Sequence, residues 1–304
     1  MVCWSDHYTY YTSIIWIVNG FFEKFPLFPL QFQGDKGITT VYKNVIVVPL
    51  NLHWDSEVFK DNVTITPEEF YSRLAQSESL PITSQPSAGE FLEAYKEAAK
   101  GADAITVPLI SSGISGTAAS ALLAAEEFDT VPVHVIDSKV TSAGLALLVQ
   151  ALIRKAEAGV SVDEILALAD AIIKDMRIFI MVDTLKYLHK GGRIGGASAL
   201  LGSAIKIKPI LYLDEEGKID TLEKVRTKKK VVQRMIELVV EKTGKKDAHV
   251  GLIHAEAKEE ANSILKEIEG RTSCSESGIY IISPVIGTHV GPGALAVAVH
   301  TIDC

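Results

Sequence analysis

A two-domain α/β protein is the fold class this sequence predicts, and three observations predict it. The chain has 304 residues, long for one core and comfortable for two. The first half alternates short apolar runs with capped helical segments, the βαβα rhythm of a parallel sheet covered on both faces. The second half carries a hairpin signature and strands less regularly spaced by helices. The expected architecture is therefore an N-terminal three-layer α/β/α domain with a parallel sheet, residues 1–158, and a C-terminal α+β domain with a mixed or mainly antiparallel sheet, residues 159–304.

The elements follow in order. Residues 1–37 are rich in Tyr, Phe, Trp and Pro and show no periodicity. Regular patterning begins with a strand over 44–50. Thr66 then caps a helix with Pro67 in its first position. Ser87 and Glu90 form a capping box for a helix reaching Lys100. A strand over 104–110 runs into the loop Ser111-Ser112-Gly113-Ile114-Ser115-Gly116-Thr117, which opens a helix from Gly116. A strand over 133–136 and a helix from about Ser142 to Ala158 complete the first half. Gly159 closes that helix, and Ser161 with Glu164 caps the next. Beyond it, 207–213 and 218–225 flank Asp214-Glu215-Glu216-Gly217 as a hairpin. Strands at 250–254, 279–282 and 294–301, with helices near 227–242 and 257–269, fill the rest.

Bulk properties narrow the function. A net charge of -8 and a pI near 5.5 argue against a nucleic-acid partner. A mean hydropathy of +0.21 is high for a chain without a membrane span, and no uncharged apolar run reaches 18 residues. The excess apolar residues go to large cores, a subunit interface or a cavity for an apolar ligand. The run 13–22 lacks the basic flank of a signal peptide. Cys3, Cys274 and Cys304 have no metal-ligand spacing and suit a reducing cytoplasm. No carboxylate cluster suggests a metal, and no nucleotide signature or Gly-x-Ser-x-Gly elbow is present.

Four places carry more polar specificity than packing requires. Thr83-Ser84-Gln85-Pro86 precedes a capped helix; its hydroxyls are candidate ligands, or a hydroxyl-rich start to the helix. The Ser111–Thr117 loop aims hydroxyls and free N–H groups at one point beside a helix N-terminus, a natural anion cradle. Ser112, Ser115, Gly116 and Thr117 are its candidates, with Ser115 at or next to the N-cap. In His189-Lys190-Gly191-Gly192-Arg193, the glycines permit close approach and the guanidinium can grip a carboxylate or phosphate; a solvated surface loop is the alternative. Finally, His289 falls in the stretch Pro284–Gly293, read as a Gly/Pro turn between strands.

Together these residues resemble the DegV family of bacterial fatty-acid-binding proteins. The resemblance runs from about Val45 to the C-terminus and rests on eight segments in order. They are Val47-Val48-Pro49-Leu50, Thr83-Ser84-Gln85-Pro86, Ser115-Gly116-Thr117, Ile136-Asp137-Ser138, residues 182–188, Gly191-Gly192-Arg193-Ile194, Ile207-Lys208-Pro209-Ile210 and residues 289–293. It implies one long-chain fatty acid buried between two domains. Thr83 and Ser115 would hold its carboxylate and Arg193 and His289 would close the site, with Ser84, Ser112, Gly116, Thr117 and Gly192 as further candidates. It also implies a non-catalytic, cytoplasmic carrier without cofactor or metal. Such a carrier presents the acid to an ATP-dependent fatty-acid kinase, which makes an acyl phosphate for phospholipid metabolism. The family's opening Asp-Ser element has no counterpart in residues 1–37.

The chemistry agrees with that implication. Two hydroxyls, an Arg and a His can supply the roughly four hydrogen bonds a carboxylate accepts. About 15 methylenes at roughly 0.8 kcal/mol each contribute about 12 kcal/mol of gross transfer energy. Candidate tail-lining residues lie around 197–205 and along the helix from Ala118. The alternative is a serine-dependent acyl transferase or hydrolase with Ser115 as nucleophile and His289 as base. A third reading is a protein that binds phosphate or a small acid without a tail.

Overall fold

The computed structural model describes residues 45–201 and 207–304 in full, and the backbone of short strands at 8–9, 14–18, 32–33 and 39–40. Two principal sheets organise the chain. The first has the order Val133–Asp137, Ala104–Leu109, Ile14–Val18, Val45–Val47. Val133–Asp137 and Ala104–Leu109 pair in parallel. Ile14–Val18 runs antiparallel to both its neighbours, so the other three strands share one direction. The second sheet has seven strands in the order Tyr8–Thr9, Ser273–Ile281, Asp247–His254, Leu295–His300, Arg177–Met181, Lys208–Leu213, Ile219–Val225. Its first two pairings are parallel and its remaining four antiparallel. This is the expected α/β arrangement, with the first sheet parallel except at Ile14–Val18 and the second sheet mixed.

The capping signals read from sequence are realised. Thr66, Ser87 and Ser161 each accept the N–H of the glutamate three residues on, and that glutamate bonds back to the cap. Such a box satisfies two otherwise orphaned donors and fixes where each helix begins. The hairpin forms as Lys208–Leu213 against Ile219–Val225, with a register shift between Ile210 and Leu211.

Alternation along Arg177–Met181 shows how the second sheet is buried on both faces. Ile178 and Ile180 join the core beneath helices Ala143–Glu157 and Val162–Asp175. Phe179 and Met181 join the opposite core, beneath Lys228–Thr243 and Lys258–Glu269. A strand's two-residue period sends neighbours to opposite faces. A third core lies in the first half, where Phe91, Tyr95, Ile105 and Val107 pack against Ala118 and Ala121. The helix Ala143–Glu157 packs on Asp247–His254 and Leu295–His300, so the end of the first half is built into the second sheet.

Several elements differ from the sequence reading. The strand expected over 44–50 is Val45–Val47, and a separate strand, Asn51–Trp54, follows it. Asn51–Trp54 forms a small antiparallel sheet with Glu57–Lys60 and Ile82–Ser84. Its alternation buries Leu52 and Trp54, and Trp54 packs edge-on against Phe70. The strand Arg177–Met181 was not read from sequence at all. The expected Pro284–Gly293 turn is instead a helix, Pro284–Val290. Ser283 accepts from Ile286 N–H, Pro284 occupies the first turn, and Gly291 ends the helix at φ +74°. Those are ordinary start and stop signals, overlooked because glycine and proline crowd the segment.

Candidate functional site

Each candidate side chain is delivered by a different element. Thr83 sits on Ile82–Ser84, opposite Leu52. Ser115 lies one residue before Gly116, the N-cap of helix Thr117–Glu126. Arg193 follows the short helix Lys186–Lys190, and His289 occupies the last turn of Pro284–Val290. That last helix is held to the first half by buried Asp61, whose carboxylate accepts Val285 N–H at 3.0 Å. Tyr71 O–H also reaches Ile282 C=O at 3.4 Å.

These elements meet around a narrow cavity of about 60 Å³, smaller than the usual small-molecule site. Thr83, Ser84, Ser115, Arg193 and His289 all line it. Its apolar walls come from Leu50, Ile114, Ile180, Leu213, Ile219 and Ile286, among others. The tail candidates therefore shift: the helix from Ala118 and residues 197–201 contribute nothing to this lining, and 202–206 lie outside the described residues. Helix Thr117–Glu126 instead turns its alanines into the first-half core.

Thr83 Oγ1 and His289 Nε2 are 2.8 Å apart, a direct bond between candidates from the two halves of the chain. The other ring nitrogen, Nδ1, is buried without a partner. It abuts Gly191, where a Cβ would come within 2.1 Å of it. Burial, assisted by the charge of Arg193, pushes His289 down to about 4, so the ring is neutral at pH 7. Arg193 donates from Nε to Ile114 C=O at 3.0 Å and from Nη1 to Gly191 C=O at 2.8 Å. Three of its five N–H groups have no partner among the described residues. Among the described residues no carboxylate lies within ion-pair distance of it.

Ser115 Oγ lies 2.8 Å from Thr117 Oγ1 and accepts Thr117 N–H at 3.3 Å. Gly116 gives that helix no side-chain cap and its first turn holds no acidic residue, so Ser115 stands beside the positive end of a helix dipole. Ser112 points elsewhere: its N–H donates to Asp137 Oδ1 at 2.9 Å and its hydroxyl bonds the same carboxylate. Ser111, not singled out from sequence, donates to Gly217 C=O at 2.9 Å and anchors the loop to the hairpin turn. Gly116 packs against Gln85, with a Cβ position 2.9 Å from its amide nitrogen. Gly192 has open space around its Cα and a φ of +72°. Sequence reasoning missed Gln85 and Thr141, which also line the cavity. Gln85 belongs to the Thr83–Pro86 segment; Thr141 carries no sequence signal beyond its place before a helix.

Fold and site together define an α/β protein with an apolar cavity bounded on one side by hydroxyls, a neutral imidazole and an unpaired guanidinium. The chain belongs to the DegV family: the model of that family, described as an uncharacterised protein family, matches residues 39–301. Protein DegV of Bacillus subtilis is 35% identical over 254 residues, covering 83% of this chain and 90% of that one. A DegV domain-containing protein of Streptococcus pneumoniae is 34% identical over 258 residues, covering 83% and 89%. Among solved structures, a DegV family protein from Thermus thermophilus described by its fatty acid binding superposes with a TM-score of 0.78. It is 31% identical and covers 84% of this chain and 91% of that one. DegV from Bacillus subtilis, described as a fatty acid binding protein, gives 0.77 at 32% identity, covering 84% and 91%. A DegV family protein from Eubacterium eligens loaded with heptadecanoic acid gives 0.73 at 25% identity, covering 84% and 92%. Among the described residues no helix is long and apolar enough to cross a membrane.

Proposed function

We propose that this protein binds a long-chain fatty acid in the cavity between its two parts, 1–158 and 159–304. There it presents the carboxylate to an ATP-dependent fatty-acid kinase in the cytoplasm. The observation that carries this reading is Arg193: a guanidinium with no carboxylate partner among the described residues, at the edge of a cavity with mostly apolar walls. An unpaired cation in partly desolvated surroundings favours an anionic occupant, and the apolar walls favour one with a tail. Relatives described as fatty-acid binders support the same occupant.

The hydrogen-bond arrangement gives each group a role. With the imidazole proton on Nε2, His289 donates to Thr83 Oγ1, and the Thr83 hydrogen is free for a carboxylate oxygen. Gly191 closes off Nδ1, so His289 acts through Thr83. Ser115 and the helix N-terminus supply a second set of donors, and the free guanidinium N–H groups balance the charge. An acyl-transfer enzyme needs a base on its nucleophile, but among the described residues no hydrogen bond joins Ser115 to His289 and no carboxylate orients the ring. The carrier reading is therefore preferred over a hydrolase or transferase.

Mass spectrometry of lipids extracted from the purified protein tests the ligand. One C14–C18 acid per chain (the usual bilayer range) is expected; no lipid, with binding of short acids only, refutes it. Acyl phosphate should form only with both this protein and the ATP-dependent partner. Acyl-ester turnover lost in Ser115→Ala would restore the enzyme reading.

A further inference from the structure

Away from the cavity, His249, His300 and Cys304 bring three metal-binding atoms within 4.8 Å of one another. His249 and His300 face each other across adjacent antiparallel strands, and their rings stack 4.5 Å apart at 4°. Cys304 Sγ lies 3.8 Å from His249 Nε2. Behind the cluster, Glu276 Oε2 bonds His249 Nδ1 at 3.1 Å.

His300 makes this more than a cluster of titratable groups. The residue is fully buried. Its Nδ1 accepts Ile302 N–H at 3.3 Å, so the neutral ring carries its proton on Nε2, which has no partner among the described residues. A buried ring N–H without an acceptor is costly and calls for an explanation. We propose that His249 Nε2, His300 Nε2 and Cys304 Sγ form a binding site for a soft divalent cation of the zinc type, its fourth position left to water.

The donor set is the first argument. Two imidazoles and one thiolate match zinc rather than magnesium or calcium, which prefer oxygen. The second argument is the carboxylate on His249 Nδ1, the partner that metal-bound histidines usually have, which leaves Nε2 as the coordinating atom.

Binding has defined consequences. Zinc ligand distances of about 2.0–2.3 Å require the three atoms to close by roughly 1 Å and one ring to turn out of the stack. His249 coordinates with its Nε2 unprotonated. The His300 proton moves to Nδ1 at the expense of the long bond from Ile302. Arg154 Nη2, now 3.4 Å from Cys304 Sγ, stays on Glu276 at 3.1 Å. Because proton and metal compete, affinity falls as pH falls.

The test uses the full chain, stripped with chelator and kept reduced, titrated with Co2+ and then Zn2+. The expected result is one Co2+ per chain with a thiolate-to-cobalt charge-transfer band, which Zn2+ displaces. Cys304→Ser removes the band, and Glu276→Gln weakens binding about 10–100-fold. Absence of the band overturns the proposal. So does a band that survives Cys304→Ser, or stoichiometric metal retained by that variant. If His300→Asn fails to fold, Cys304→Ser still decides, because its side chain is only partly buried. Fatty-acid content should be unchanged in Cys304→Ser.

Discussion

Replacing Gly191 by Ala isolates the contact that fixes the imidazole. Gly191 has φ -77° and ψ -6°, a conformation any residue adopts, so no backbone strain opposes the change. Alanine there would even narrow the unfolded ensemble, worth about 0.4–1 kcal/mol of stability. Against this, the new Cβ would lie 2.1 Å from His289 Nδ1, where ordinary contact begins at 3.4 Å. The ring must retreat by more than 1 Å. The 2.8 Å bond to Thr83 does not survive such a shift, costing about 0.5–1.5 kcal/mol, and overpacking adds about 1–3 kcal/mol. The net expectation is destabilisation of about 1–3 kcal/mol with an unchanged urea m-value. Fatty-acid affinity falls as well. The decisive arm is the double variant Gly191→Ala/His289→Ala: without the ring, the methyl has room, and Gly191→Ala becomes neutral or stabilising. Equal destabilisation in both backgrounds would refute the reasoning.

Other expectations follow from the same geometry. His289 is depressed to about 4 from an unfolded value near 6.5. The unfolded chain thus binds more protons between these values, so stability is present above about pH 6.5 and lost as pH falls toward 4. Urea midpoints measured across that window should flatten in His289→Gln; an unchanged slope would show that other groups dominate. His249, raised to about 9, contributes in the opposite sense: its stability is present below about pH 6.5 and lost as pH rises through 9. His249→Gln should reduce that alkaline loss in thermal melts. Ser111→Ala removes a donor to Gly217 C=O and an acceptor for Gly113 N–H, and chemical denaturation should register a loss of about 1–3 kcal/mol. Arg193→Ala should reduce acyl-phosphate formation more than fatty-acid retention, since apolar burial supplies most of the affinity; equal losses would place the binding energy in the head group.

Much of this fold was legible because its signals are local. Capping boxes at Thr66, Ser87 and Ser161 mark helix starts within four residues, and Asp214–Gly217 marks a hairpin without reference to anything distant. The losses have local causes too. Pro284–Val290 carries an N-cap serine and a first-turn proline, yet its two flanking glycines and second proline imitate a turn. Asn51–Trp54 is short and follows another strand directly, so periodicity merges the two. At the site, Thr83, Ser115, Arg193 and His289 were found because hydroxyls, guanidinium and imidazole stand beside helix starts and glycines. Their grouping is different: Thr83 and His289 are 206 residues apart in sequence, and only the tertiary fold makes them partners. The cavity walls were misplaced for the same reason. An apolar residue on a strand reads identically whether it faces a core or a cavity, and Ile180 and Ile219 give no sign of which they face.

Gly113 and Gly217 meet where the loop touches the hairpin turn. A Cβ on Gly113 would fall 2.6 Å from the backbone of residues 216 and 217, and one on Gly217 only 1.9 Å from Ser111 Oγ. In hereditary terms the two positions form a single character. Neither can acquire a side chain while the other surface stays where it is, although more than a hundred residues separate them in sequence. A lineage that inserts or lengthens the hairpin turn is thereby released from glycine at 113, and one that keeps the turn is bound to both.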